Sequence, residues 1–203
     1  MSRRPCIVAK LGGSLLGDPC LSRWLEALSA TGSAHFVVVP GGGPFADAVR
    51  SAQAACGVSD EVAHTMALLA MEQFGHLLTG LHPRVVPCSA VGEFESAWKS
   101  DRLPVWLPAR LVGSDPSLPR SWNVTSDTIA AWLAERIGAD ALWLVKSCKL
   151  PAARQDAVAL VAAGIVDPSL PGFALHHGIH LDTLQRNQWT EVESAVGRIA
   201  CRL

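Results

Sequence analysis

Twice within residues 6–55 the chain runs through an unbroken apolar stretch, breaks on glycine and resumes at helical spacing. Cys6-Ile7-Val8-Ala9-Lys10-Leu11 ends in Gly12-Gly13-Ser14, and Leu21, Trp24, Leu25 and Leu28 follow at helical spacing. His35-Phe36-Val37-Val38-Val39-Pro40 ends in Gly41-Gly42-Gly43-Pro44, and Phe45 to Ala55 reads as helix. An apolar run without alternation is a strand buried on both faces, and strands that each return through a helix lie parallel. The pattern predicts an α/β chain with a parallel sheet covered by helices.

The rest of the chain continues that plan. Glu61 to Leu81 predicts a helix buried on more than one side, with Ala63, Met66, Ala67, Leu69, Ala70 and Phe74 apolar. Arg84 to Cys88 predicts a short strand, Leu103 to Pro108 an extended segment, and Gly113 to Arg120 a loop. A third unit opens at Val124-Thr125-Ser126-Asp127, runs as helix from Thr128 to Ile137, stops at Gly138 and gives a strand over Ala141 to Val145. Ser126 or Asp127 suits the N-cap and Gly138 the C′ position. Beyond Lys149 the pattern weakens to a helix over Ala153 to Ala163 and a Pro/Gly/His-rich segment from Asp167 to His180. With no linker and no internal repeat, residues 1–203 are expected to form one domain.

Seventeen Lys+Arg against 18 Asp+Glu leave a formal net charge of -1, which gives no basic footprint for nucleic acid. The 49% hydrophobic content across 203 residues supports a folded core and excludes a mostly disordered chain. Six cysteines without a CxxC pair read as reduced thiols. The apolar stretch after Met1-Ser2-Arg3-Arg4-Pro5 stops at Lys10, short of a signal h-region, and no run approaches the roughly 20 apolar residues of a membrane span. The expectation is a soluble, cytoplasmic protein with neither nucleic acid nor membrane among its partners.

Three constellations could carry chemistry. Lys10-Leu11-Gly12-Gly13-Ser14 places a lysine and approachable backbone N–H groups at a strand end, which suits a phosphate, although taken alone the motif favours a tight turn with an exposed lysine. It is not a P-loop, because the lysine precedes the glycines. Gly41-Gly42-Gly43 suits a second anion loop, with Arg50 as a bidentate donor, or else an unusually tight crossover with a solvated arginine. Thr125-Ser126-Asp127 either caps its helix or sets Asp127 against Lys10. His176, His177 and His180 read as surface or inter-subunit residues rather than a metal site, since Gly178 interrupts the helix that would align them. Trp24, Trp132 and Trp143 belong on the core, whereas Trp98, Trp106 and Trp122 lie near loops and could line a ring-binding pocket.

Taken in order, the Lys10 to Ser14 loop, Val39-Pro40-Gly41-Gly42-Gly43, and Thr125-Ser126-Asp127 followed by Gly138-Ala139-Asp140-Ala141-Leu142-Trp143-Leu144 resemble the amino acid kinase superfamily over about residues 5 to 148. The resemblance implies a three-layer α/β/α sandwich around a mainly parallel sheet, use of ATP with Mg²⁺, a small-molecule acceptor and a homo-oligomer. It implies that Lys10 neutralises the transferred phosphoryl group and Asp127 orients Lys10. Gly12, Gly13, Ser14 and Lys146 would hold donor phosphates, and Gly41, Gly42, Gly43, Arg50, Asn123 and Ser126 the acceptor. Ala63 to Phe74 and Trp122 to Asp127 further resemble the small kinases of methanofuran biosynthesis, whose acceptor is an aminomethylfuran methyl phosphate converted to its diphosphate. The ammonium of such an acceptor would need a partner such as Asp47 or Asp101. The chain departs from the superfamily in two places. Lys146-Ser147-Cys148-Lys149-Leu150-Pro151 replaces an Asp-Gly-containing nucleotide loop, and no lysine follows Lys149. The rival expectation is a non-catalytic anion- or nucleotide-binding protein on the same fold.

Overall fold

A computed structural model describes residues 3–151 and 156–203. Its strands are β1 Cys6–Leu11, β2 His35–Pro40, β3 Val85–Cys88, β4 Leu103–Trp106, β5 Ala141–Lys146 and β6 Leu181–Gln185. They form one sheet in the order β3-β4-β2-β1-β5-β6, every neighbouring pair parallel. The unbroken apolar runs mark its centre: within β1 and β5, Ile7, Val8, Ala9, Leu142, Trp143 and Leu144 have no exposed surface. Helices flank both faces, as the alternation of strand and helix predicts.

The helices are α1 Cys20–Ala30, α2 Gly43–Cys56, α3 Asp60–Leu81, α4 Gly92–Lys99, α5 Ala109–Val112, α6 Ser126–Arg136, α7 Ala157–Ala162, α8 Leu170–His176 and α9 Val192–Ala200. One layer packs Trp24 and Leu25 of α1, Phe74 of α3 and Val196 and Ile199 of α9 against Ile7, Ala9 and Trp143. The other packs Phe94 of α4, Ala130 and Leu133 of α6, Leu160 of α7 and Leu170 of α8 against Val8, Val37 and Leu142. Odd and even residues of one strand thus face opposite layers. Among the described residues no helix is long and apolar enough to cross a membrane.

Through residue 150 the expected elements form within a few residues of their expected bounds, with α4 and α5 present where no helix was expected, and Gly138 ends α6 at a φ of 60° as a C′ glycine should. The remainder differs. The helix expected over Ala153 to Ala163 spans Ala157–Ala162, and residues 153–155 lie outside the described residues. The Pro/Gly/His-rich segment contains α8, which ends at His176, and Gly178 follows at a φ of 63°. His176 and His180 therefore do not share a helical face; His177 and His180 approach Glu135 and Asp182 instead.

The cap assignment is corrected too. Thr125, not Ser126 or Asp127, occupies the N-cap of α6, and its own side chain makes no cap bond. The donors at this helix start go to Asp167, which accepts from N and Oγ1 of Thr125 and from N and Oγ1 of Thr128, at 2.5–3.0 Å. The same carboxylate accepts from the Leu170 amide at the start of α8, so one buried residue caps two helices.

Candidate active site

Strand parity places the charges. Lys10 shares a face of β1 with Val8, and Lys146 shares a face of β5 with Leu142 and Leu144; that face is the one α6 covers. The first turn of α6 brings Asp127 between the two ammonium groups. Lys10 Nζ lies 2.9 Å from Asp127 Oδ1, and Lys146 Nζ donates to both Asp127 oxygens at 2.7 and 2.9 Å and to the Ile165 carbonyl at 2.6 Å. All three side chains are buried, with Asp127 4% exposed. Within the triad two cations share one anion in a poorly screened setting, with the buried Asp167 carboxylate a further negative charge acting on Lys146, and a bound anion would be held by the remaining positive charge on Lys10.

The titration shifts follow from that balance. Burial works to raise the Asp127 carboxyl, but the Lys10 and Lys146 charges overcome it and hold it at about 2. Burial, then the neighbouring Lys10 charge, pull the Lys146 ammonium down to about 8 against the opposing pull of Asp127. Asp127 is thus fixed as an anion at neutral pH, while Lys146 loses its proton only slightly above it.

Beside this cluster, at the carboxyl ends of β1, β2 and β5, opens a cavity of about 540 Å³ that both lysines line. Ligands in open parallel sheets collect at such ends. The glycine loops form part of its wall and lie in backbone contact. A Cβ on Gly13 would stand 2.1 Å from Gly43 N, and one on Gly41 would stand 2.4 Å from Gly13 N. Gly43 has a φ of 51°. The Gly41 amide donates to the Leu11 carbonyl at 2.8 Å, and Gly41 is not among the residues lining the cavity. Close loop packing therefore accounts for Gly13, Gly41 and Gly43, while Gly12, Gly13, Gly42 and Gly43 still face the cavity.

Of the other residues singled out from the sequence, Ser14, Arg50 and Ser126 line the cavity and Asn123 does not; Asn123 is exposed. Ser14 Oγ lies 2.8 Å from Ser147 Oγ, joining the first loop to the one after β5. Ser147 and Cys148 also border a second, open recess of about 690 Å³, lined by Lys149 and Arg186. Arg50 donates to Asp47 at 2.9 Å and lies 4.2 Å above the Trp122 ring. Of the three loop-proximal tryptophans only Trp122 reaches the cavity. Trp106 is fully buried against Trp132, and Trp98 stacks on His35 at the amino ends of the strands. Asp101 also lies at that far end, bordering a small recess with His35 and Trp98.

Sequence reasoning missed His64, Asp60 and Asp167. His64 of α3 is buried in the cavity wall, and burial, with the Arg120 charge second, lowers its pKa. A lone histidine on an otherwise Ala/Met/Leu helix face was the signal for it. Asp167 offered only its spacing three residues before Leu170, because the Thr125 and Thr128 donors it also accepts lie about 40 residues away in sequence.

A family model described as the amino acid kinase family matches residues 5–149. A curated relative, the 5-(aminomethyl)furan-3-ylmethyl phosphate kinase of Methanocaldococcus jannaschii, is 24% identical over 129 residues, or 63% of this chain. The matched part spans 59% of that relative's length. Among solved structures, the uridylate kinase of Archaeoglobus fulgidus superposes with a TM-score of 0.69 at 20% identity, covering 97% of this chain and 96% of that one. The aspartate kinase of Synechocystis gives 0.67 at 16% identity, covering 89% of this chain and 38% of that one. These likenesses show the fold: a parallel sheet flanked by helices, as in this chain.

Proposed function

The chain belongs to the amino acid kinase family, and on that premise we propose that it is a phosphotransferase moving a phosphoryl group from Mg-ATP to a small acceptor that already carries phosphate. The observation that carries this is the pair of buried lysines on Asp127 at the head of the cavity. Phosphoryl transfer asks a protein mainly for position and for neutralisation of charge spread over the phosphoryl oxygens. Lys10 and Lys146 supply that charge without reorganising, since Asp127 already fixes both.

The residues present fit a magnesium nucleotide. The Gly12-Gly13 backbone and both ammonium groups face the cavity, and the recess lined by Lys149 and Arg186 continues from it past Ser147. Both Asp127 oxygens are engaged by lysines, so the ion would be held chiefly through phosphate oxygens. Bound there, Mg²⁺ would offset phosphate charge. Arg50, with Ser126, would receive the acceptor's phosphate. One acceptor phosphate oxygen then bonds to the γ-phosphorus as the bond to the β-phosphate oxygen breaks, giving a diphosphate and ADP.

The relative's name supports an aminomethylfuran methyl phosphate as acceptor. The test is ADP release with Mg-ATP and, separately, the phosphorylated aminofuran, its alcohol, uridylate and acetylglutamate. The phosphorylated aminofuran is expected to give the highest kcat/KM; a higher value for uridylate or acetylglutamate overturns the assignment. Stabilisation by Mg-ATP without turnover of any acceptor supports the non-catalytic binding alternative.

The Lys146 shift adds a pH signature. With its proton leaving at about 8, turnover is expected to hold from neutrality to that point and fall above it. Because Lys146 is depressed in the folded state, the folded chain binds fewer protons than the unfolded one between about 8 and 10.5, and stability rises with pH there. An alkaline loss of activity without loss of fold is therefore expected, and Lys146→Arg should remove the fall near pH 8. An identical alkaline limb in the arginine variant would detach Lys146 from the reaction.

A further inference from the structure

We propose that Asp60, oriented by Gln53 and Trp122, selects acceptors that carry a cationic substituent beside their phosphate. This rests on the proposed function for the identity of the acceptor site and goes beyond it in assigning how one class of acceptor is chosen.

Two aspartates line the cavity rim, Asp47 and Asp60. Asp47 holds Arg50 at 2.9 Å. Asp60, the first residue of α3, accepts from Gln53 Nε2 through Oδ1 at 2.7 Å, and among the described residues its Oδ2 makes no hydrogen bond. Asp101, the other carboxylate expected to meet an ammonium, lies at the opposite end of the sheet.

The orientation of Gln53 is dictated by chemistry. An indole N–H can only donate, so Trp122 Nε1, 2.6 Å away, must face the amide oxygen of Gln53. That turns the Gln53 NH₂ group toward Asp60 and toward the Val58 carbonyl. A donor on one carboxylate oxygen holds the group in one rotamer, leaving the other oxygen for a ligand.

The same indole carries the Arg50 guanidinium on its ring face at 4.2 Å. Trp122 therefore contacts a cation on its ring face and, through Gln53, a carboxylate, so the rim presents a positive and a negative group tied to one indole. An acceptor with one anionic and one cationic end matches both, whereas a purely anionic acceptor leaves Asp60 as a repulsive neighbour. The aminomethyl group in the relative's substrate name is of this kind: an alkylamine, like a lysine side chain with a pKa of about 10, is protonated at neutral pH.

The experiment is isothermal titration of two probes, the aminomethylfuran methyl phosphate and its analogue with methyl in place of aminomethyl, into the wild-type chain, Asp60→Asn and Gln53→Leu. The wild type is expected to bind the amine about tenfold more tightly than the methyl analogue, the value of a charged hydrogen bond at a partly wet rim. Asp60→Asn should bring the two affinities together, and Gln53→Leu should narrow the gap without closing it. Equal binding of both probes by the wild type, an unchanged preference in Asp60→Asn, or binding of neither overturns this inference. If the wild type releases ADP with the amine yet shows no preference, Asp60 loses its role and the kinase assignment stands. If the preference appears but no acceptor is turned over, the kinase assignment falls and the recognition role of Asp60 stands.

Discussion

Lys10→Met is expected to lower the phosphoryl-transfer rate by about two to three orders of magnitude while the fold persists. Methionine keeps most of the lysine's volume and apolar stem, so the packing around β1 is preserved. Asp127 is not stranded either, because Lys146 still donates to both of its oxygens. What disappears is one of two preorganised cations, and the triad goes from net positive to neutral. Loss of a single preorganised donor in a water-poor site costs about 10²- to 10³-fold in rate. The check is single-turnover kinetics alongside a melting curve; wild-type turnover in the variant would remove Lys10 from the reaction.

Asp127→Ala is expected to cost about 3–5 kcal/mol of stability, the usual penalty for removing one partner of a buried ion pair. Here two ammonium groups would be left against each other with no carboxylate between them. For a chain of this size each kcal/mol shifts Tm by about 2–4 °C, so a drop of roughly 6–20 °C should be seen. Adding Lys146→Met to Asp127→Ala should recover part of the loss by removing the repulsion, a non-additivity that a simple cavity would not produce. In the wild type the Asp127 contribution is complete above its unfolded value of 3.8 and is lost as pH falls toward about 2. A variant that melts within a degree or two of wild type would mean that the lysines find other partners.

The glycine loops show how a correct sequence signal can have two causes. Three consecutive glycines at 41–43 are hard to explain by turn geometry alone, and a ligand is the obvious reason to expect them. In the structure much of the requirement comes from the loops themselves, whose backbones meet where a Cβ on Gly13 or Gly41 would collide. Facing the cavity is a consequence of the same proximity. Sequence reports the need for absent side chains but not which neighbour imposes it.

The C-terminal part was less legible for different reasons at different elements. β6 reads Leu181-Asp182-Thr183-Leu184-Gln185 because it is an edge strand, half-exposed, and lacks the unbroken apolar run of β1 or β5. Helix α8 begins with Leu170-Pro171-Gly172 and is stabilised at its start by Asp167, a contact with no local pattern beyond spacing. In α9 the spacing of Val192, Ala195, Val196 and Ile199 is helical and could have been recognised.

By itself the sequence determined the parallel α/β layout, since apolar strands feeding glycine loops and helices admit few other arrangements. It left Asp127 open between capping its helix and facing Lys10, and the family resemblance, not the residue pattern, implied the pairing that the structure shows at 2.9 Å. Only the tertiary structure decided that Lys146 joins the same carboxylate, that Asp167 rather than Ser126 satisfies the start of α6, and that Trp122 reaches the cavity while Trp106 is core. Each of those depends on side chains from separate elements meeting in the fold, at distances that residue order does not contain.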